Sequence, residues 1–116
     1  MDIARLQQRL REFTTERDWD QFHSPKNLAM ALTSEAGELA EVFQWMTEQQ
    51  SRDLGKSGAD QARAREEIAD VMIYLLRLAD VLHIDLEEAV DAKIDLNQSK
   101  YPVKDSRGNA TKYNRR

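Results

Sequence analysis

The chain has 116 residues, with 17 basic and 21 acidic side chains and a formal charge of -4, a balance that argues against a polynucleotide binder, which usually carries a basic face. It has no cysteine, which excludes disulfides, thiolate metal sites and a cysteine nucleophile. The opening MDIARLQQRL lacks an apolar signal core, and the longest apolar run, Val71 to Leu76, is far too short to span a bilayer, so a soluble cytoplasmic protein is expected, with no membrane partner.

A content of 41% apolar and 33% charged residues, with four Gly and two Pro, suits helices joined by short loops. The first helix is expected from about Asp2 to Arg17. Ile3, Leu6, Leu10 and Phe13 recur at three- and four-residue steps and form one apolar stripe. Asp2 can cap its start. Residues 18–23 break the pattern. Ser24-Pro25 then starts a second helix, since Ser caps well and Pro at the first position lacks only an N–H that would be unpaired. This helix is expected to reach about Glu48. Residues 49–60 hold Ser51, Gly55, Ser57 and Gly58 and read as a loop.

The third helix is expected from about Gln61 to Leu82. Its middle, Ile68 to Leu78, is apolar on nearly every side except at Asp70 and Arg77, the pattern of a helix buried all round, either centrally or at a subunit interface. The fourth is expected from Asp85 to about Ser99, with Asp85 and Glu88 in capping-box positions and Pro102 beyond its end. The fold class is therefore all-α, an antiparallel four-helix bundle. Such a chain, with one helix apolar all round, should assemble into a dimer or tetramer. The domain is expected over residues 1–101, with a basic tail over 102–116.

Two features break the polarity pattern. With each residue stepped by roughly 100° around the second helix, Leu28, Leu32, Leu39, Val42 and Met46 share one side. Glu35 falls inside that stripe and Glu38 on its shoulder. On the third helix Glu67 and Asp70 are also three apart, on one face with Tyr74. Packing the two helices together would gather four acids. Four unpaired carboxylates would repel one another, and a hard divalent cation removes the conflict. Neither pair has a His partner, so zinc or a His-ligated iron is disfavoured. The same acids could instead be neutralised by Arg77 or Lys93. Glu41, Glu48 and Glu66 read as a solvated face.

Glu35-x-x-Glu38 and Glu67-x-x-Asp70 on consecutive helices resemble the signature of the MazG-like all-alpha nucleotide pyrophosphohydrolases. The segments Glu16 to His23, Phe43-Gln44-Trp45, Asp70 to Tyr74, Lys93 to Asn97 and Lys100-Tyr101-Pro102 resemble the dCTP pyrophosphatase branch. The resemblance implies a Mg²⁺-dependent enzyme that converts a nucleoside triphosphate, with dCTP or a modified dCTP leading, to the monophosphate and pyrophosphate. Such an enzyme trims the nucleotide pool. Glu35, Glu38, Glu67 and Asp70 become metal ligands, and Glu38 doubles as general base.

The resemblance also assigns a substrate pocket. Trp19, Phe22, Trp45 and Tyr74 would stack on the base, although core packing explains Phe22 and Tyr74 equally well. Asn97 would read a base or sugar edge, or be an ordinary helix-end polar residue. Lys93, Lys100 and Lys112 would neutralise phosphates, or lie free in solvent. Tyr101 belongs to the matching Lys100-Tyr101-Pro102 segment, and Tyr113 resembles a tail element that folds over the site. His23 and His83 each follow an Asp by three, not the Glu-x-x-His of a di-iron bundle. Both read as structural, with His23 bordering the pocket. The Gln49 to Asp60 segment is the least family-like. Two other readings stay open: another nucleotide (dUTP, dATP or phosphoribosyl-ATP), and a helical interaction module without catalysis.

Overall fold

The structure, a computed structural model, describes residues 1–54 and 58–115. Every element among these residues is helical. Helix α1 spans Ile3–Glu16, α2 Pro25–Phe43, α3 Glu48–Asp53, α4 Ala59–Val81, α5 Leu86–Lys100 and α6 Val103–Ser106. Short 3₁₀ turns occupy Asp20–Phe22 and Tyr113–Arg115.

The helix starts follow from side-chain caps. Asp2 accepts from the Arg5 N–H at 3.0 Å, Ser24 from Asn27 at 3.2 Å, and Asp85 from Glu88 at 3.0 Å. Pro25 takes the first helical position of α2. The expected second helix is too long, because α2 stops at Phe43 and the chain turns before Thr47. The expected loop over 49–60 is also corrected. It contains most of α3, which Thr47 starts with a capping box to Gln50. Helix α4 begins at Ala59, inside the same segment. The loop reading of Gly55 to Ser57 falls outside the described residues.

Two helices end with a non-glycine residue in the left-handed region, Asp18 at φ 55° and His83 at φ 56°. Both ends form Schellman motifs. Trp19 N–H reaches Thr14 C=O while Asp18 N–H reaches Thr15, and Ile84 reaches Ala79 while His83 reaches Asp80. A side chain with a Cβ is strained there, and Gly is not. His83→Gly is therefore expected to raise stability by about 0.5–1 kcal/mol, read as a higher urea midpoint. Asp18→Gly should gain less, because Asp18 Oδ2 accepts from Gln21 at 3.1 Å.

The chain divides into two compact units, Met1–Ile84 and Asp85–Arg116. In the first, α4 packs along α2 and α1. Leu28, Val42, Ala64, Leu76 and Ala79 are buried between them. In the single chain α4 is not buried all round, so the central alternative is corrected and the subunit-interface alternative stays open. Ile68 is 56% exposed, and Ile73 and Leu75 are exposed too. With α1 and α2 as its main neighbours, α4 keeps an uncovered apolar strip.

In the second unit the segment after α5 turns back on its end. The Tyr101 N–H donates to Asn97 C=O. The Tyr113 ring meets Tyr101 edge-on at 5.8 Å, with Lys100 Nζ 4.8 Å from its centroid.

Candidate active site

Residues three apart on a helix share a face. Glu35 and Glu38 therefore project together from α2, where α4 passes and presents Glu67. One carboxylate oxygen from each of the three lies within 4.8 Å of the others. Asp70, one turn further along α4, is outside this tight group. It lines the adjoining cavity with Glu35, and its charge acts on both Glu35 and Glu67.

Among the described residues, two oxygens here are buried without a hydrogen-bond partner, Glu35 Oε2 and Glu67 Oε2. A buried carboxylate oxygen with no donor is costly unless a cation or proton meets it. Arg77 does not supply the charge, since its ion pairs run to Asp20 and Asp80. Without a cation, Glu35 and Glu67 bind protons more tightly than free carboxyls do. Burial pushes the Glu35 carboxyl above its usual range, reinforced by hydrogen bonding to Glu38 and by the charges of Glu38, Asp70 and Glu67. Glu67 is raised by burial first and then by Glu38 and Asp70, and Arg63 offsets little of this. A cation with oxygen preference fits three acids with two orphaned oxygens.

The sign of the pH effect follows. A carboxyl raised in the native state binds protons more tightly there than when unfolded. Its favourable contribution is complete below the unfolded value of 4.5 and is lost as pH rises through the native value. Glu35→Gln is therefore expected to stabilise the metal-free protein at pH 8 and to do little at pH 4.5. The difference between variant and wild-type melting curves isolates this term. It removes the opposite contribution of His23, which burial and Arg77 hold below its ordinary value.

Beside the acids lies a cavity of about 370 Å³, within the size range of small-molecule sites. Trp19, Phe13 and Tyr74 supply aromatic walls, with Leu10 and Ile73 beside them. The Trp19 and Phe13 rings meet at 5.6 Å and 74°, an edge-to-face pair. His23, Thr14 and Arg77 line the cavity as polar groups, and Glu35 and Asp70 open it to the acid cluster. Trp19, His23 and Tyr74 come together in this cavity. Phe13 has the spacing of the core stripe in the sequence, yet it is a cavity wall and 43% exposed.

Phe22 and Trp45 do not line this cavity. They are 58% and 88% exposed, on the 3₁₀ turn and just past the end of α2. Lys93 and Asn97 lie exposed on α5. Lys100, Tyr101 and Tyr113 gather within the second unit, and Lys112 is exposed beside Tyr113. Arg77 was missed as a site residue. Its signal was a lone cation inside an apolar helical run.

The MazG-like family profile matches residues 30–115, a span that includes all four acids. The chain belongs to the MazG-like family. Among curated proteins, this MazG-like chain is 48% identical over 112 residues to dCTP pyrophosphatase 1 of Mus musculus, and the match covers 97% of the chain and 64% of the mouse protein. It is 46% identical over 112 residues to dCTP pyrophosphatase 1 of Homo sapiens, with the same coverage. The chain thus spans just under two thirds of the length of these relatives. Among solved structures, a pyrophosphatase from Archaeoglobus fulgidus superposes with a TM-score of 0.80 at 41% identity, covering 88% of this chain and 94% of that one. The all-helical class holds for the MazG-like chain, and no described helix is long and apolar enough to cross a membrane.

Proposed function

We propose that this MazG-like chain is a cytoplasmic Mg²⁺-dependent pyrophosphohydrolase that converts a deoxynucleoside triphosphate, dCTP or a modified dCTP first, to the monophosphate and pyrophosphate. The observation that carries this is the acid cluster with its two orphaned oxygens, set against an aromatic cavity. The proteins it is similar to are named for this chemistry.

Glu35, Glu38 and Glu67 would hold the cation, with Asp70 completing the set from the cavity side. When bound, Mg²⁺ neutralises phosphate charge and lowers the pKa of the attacking water. Glu38, the exposed member of the cluster, is within the same 4.8 Å group and takes the proton from that water. Trp19 and Tyr74 stack on the base, a contact worth about 1–3 kcal/mol for each base–aromatic pair. Phe22 and Trp45 are exposed, and would join the pocket only where a second copy brings them near. Lys93, Asn97, Lys100, Tyr101, Lys112 and Tyr113 are the residues the family likeness would assign to the sugar and phosphates.

The catalytic domain would run over residues 1–101, as an antiparallel four-helix bundle paired into a dimer or tetramer. The apolar groove between α1 and α4 supports the pairing. It measures about 530 Å³ and is lined by Leu6, Met72 and the exposed Ile68 and Ile73. Light scattering is expected to give a dimer or tetramer mass, and a monomer mass would remove this part.

The activity is tested by pyrophosphate release from a panel of dNTPs and NTPs, with Mg²⁺ and with EDTA. Magnesium-dependent release strongest with dCTP supports the reading. Release strongest with dUTP, dATP or phosphoribosyl-ATP keeps the chemistry and replaces the substrate. No release from any nucleotide leaves a non-catalytic helical module.

A further inference from the structure

Arg77 is only 5% exposed, on a helix whose neighbouring positions are apolar. A buried guanidinium needs its charge and its donors met. Asp80, one turn on, faces Nη1 at 3.6 Å, and Asp20 faces Nη2 at 3.6 Å. Asp20 is itself fixed by the Thr14 and Thr15 hydroxyls, which donate to it at 2.7 and 2.9 Å. Its Nε–H donates to His23 Nδ1 at 3.3 Å.

An imidazole nitrogen that accepts a hydrogen bond carries no proton, so the proton of a neutral ring sits on the other nitrogen. His23 Nε2–H has no acceptor among the described residues, and the ring lines the cavity beside Trp19 and Tyr74. The Thr14 hydroxyl is committed to Asp20, and the Arg77 guanidinium is ion-paired with Asp20 and Asp80 while its Nε–H is committed to the ring. Trp19, Tyr74 and Arg77 also bring N–H or O–H groups to this lining, and His23 Nε2–H is the one whose proton Arg77 fixes in place.

We propose that Arg77 is a positioning residue that holds His23 as an Nε2–H donor, and that this donor selects a nucleobase bearing a ring carbonyl. This rests on the hydrolase reading above. Cytosine, uracil and thymine all present such an oxygen, whereas adenine has none. A site built to donate to a substrate acceptor discriminates against the base that lacks it.

Two measurements test this on the full chain. Nitrogen-15 NMR of the histidine rings at pH 7.5 should show His23 with an unprotonated Nδ1 and a protonated Nε2. In Arg77→Lys the two tautomers should mix. In kinetics, Arg77→Lys and His23→Phe should each raise KM for dCTP about tenfold, the worth of one hydrogen bond, with kcat little changed. The preference for dCTP over dATP should fall by the same factor. His23→Phe leaves Arg77 in place, so the kinetic arm stands if Arg77→Lys does not fold. A wild-type ring protonated at Nδ1, or an unchanged KM in both variants, overturns the proposal. A wild type inactive on every nucleotide fails the hydrolase reading and the base contact with it, while the NMR result still decides the tautomer.

Discussion

Glu38→Gln is expected to lower turnover by at least about 100-fold, with the fold retained. Loss of a group that merely orients a metal ligand already costs roughly 10–100-fold, and Glu38 is proposed both as ligand and as base. The substitution keeps shape and removes one charge from a crowded cluster. It should therefore leave the metal-free protein at least as stable as wild type, because the burial penalty on Glu35 and Glu67 is aggravated by Glu38. Steady-state kinetics and a melting curve on one preparation check both halves. Wild-type turnover in a folded variant would show that Glu38 is neither ligand nor base. A large drop in melting temperature would show that it serves structure instead.

Asp80→Ala is expected to destabilise the protein by about 2–4 kcal/mol, the largest single effect outside the acid cluster. The decisive quantity is the burial of the partner left behind. The Arg77 side chain is 6% exposed and would keep only Asp20, at 3.6 Å, across from it. Breaking a buried pair from one side strands a charge, which costs far more than losing a surface pair. Asp80 also accepts Arg11 Nη1 at 2.8 Å on both oxygens, tying α1 to α4. That link is half exposed on the Arg11 side and adds about 0–1 kcal/mol. Asp20→Ala should cost less, because Asp20 is itself half exposed and Arg77 retains Asp80. Chemical denaturation of the two variants orders these effects. Equal losses would mean that Arg77 does not depend on Asp80.

The parts legible in the sequence are those that local physics determines. Asp2, Ser24-Pro25 and Asp85 mark helix starts because caps act within three residues. Glu35 stands out because an acid on an apolar stripe is expensive, and its companion on α4 follows from the same test. Helix α3 was hidden because its Thr47–Gln50 capping box sits next to a serine- and glycine-containing stretch that looks like loop. The polar wall of the cavity was hidden for another reason. Arg77 and His23 are 54 residues apart, and no periodicity links them. Phe13 has the spacing of a core residue, and only the position of Trp19 after the turn makes it a cavity wall. The extent of exposure on α4 depends on how many helices one chain provides, which spacing does not encode.

Glu35 and Glu67 are proposed to leave oxygens unpartnered because a divalent cation belongs between them. The most direct measurement is the melting temperature with and without millimolar Mg²⁺, in the presence of a dCTP analogue that cannot be cleaved between its α and β phosphates. A cation that binds only the native state stabilises it by about 1.4 kcal/mol at ten times its dissociation constant. Wild type is expected to melt higher with Mg²⁺, and the Glu35→Gln, Glu67→Gln double variant is expected not to respond. A wild type that does not move, or a double variant that moves equally, would contradict the assignment.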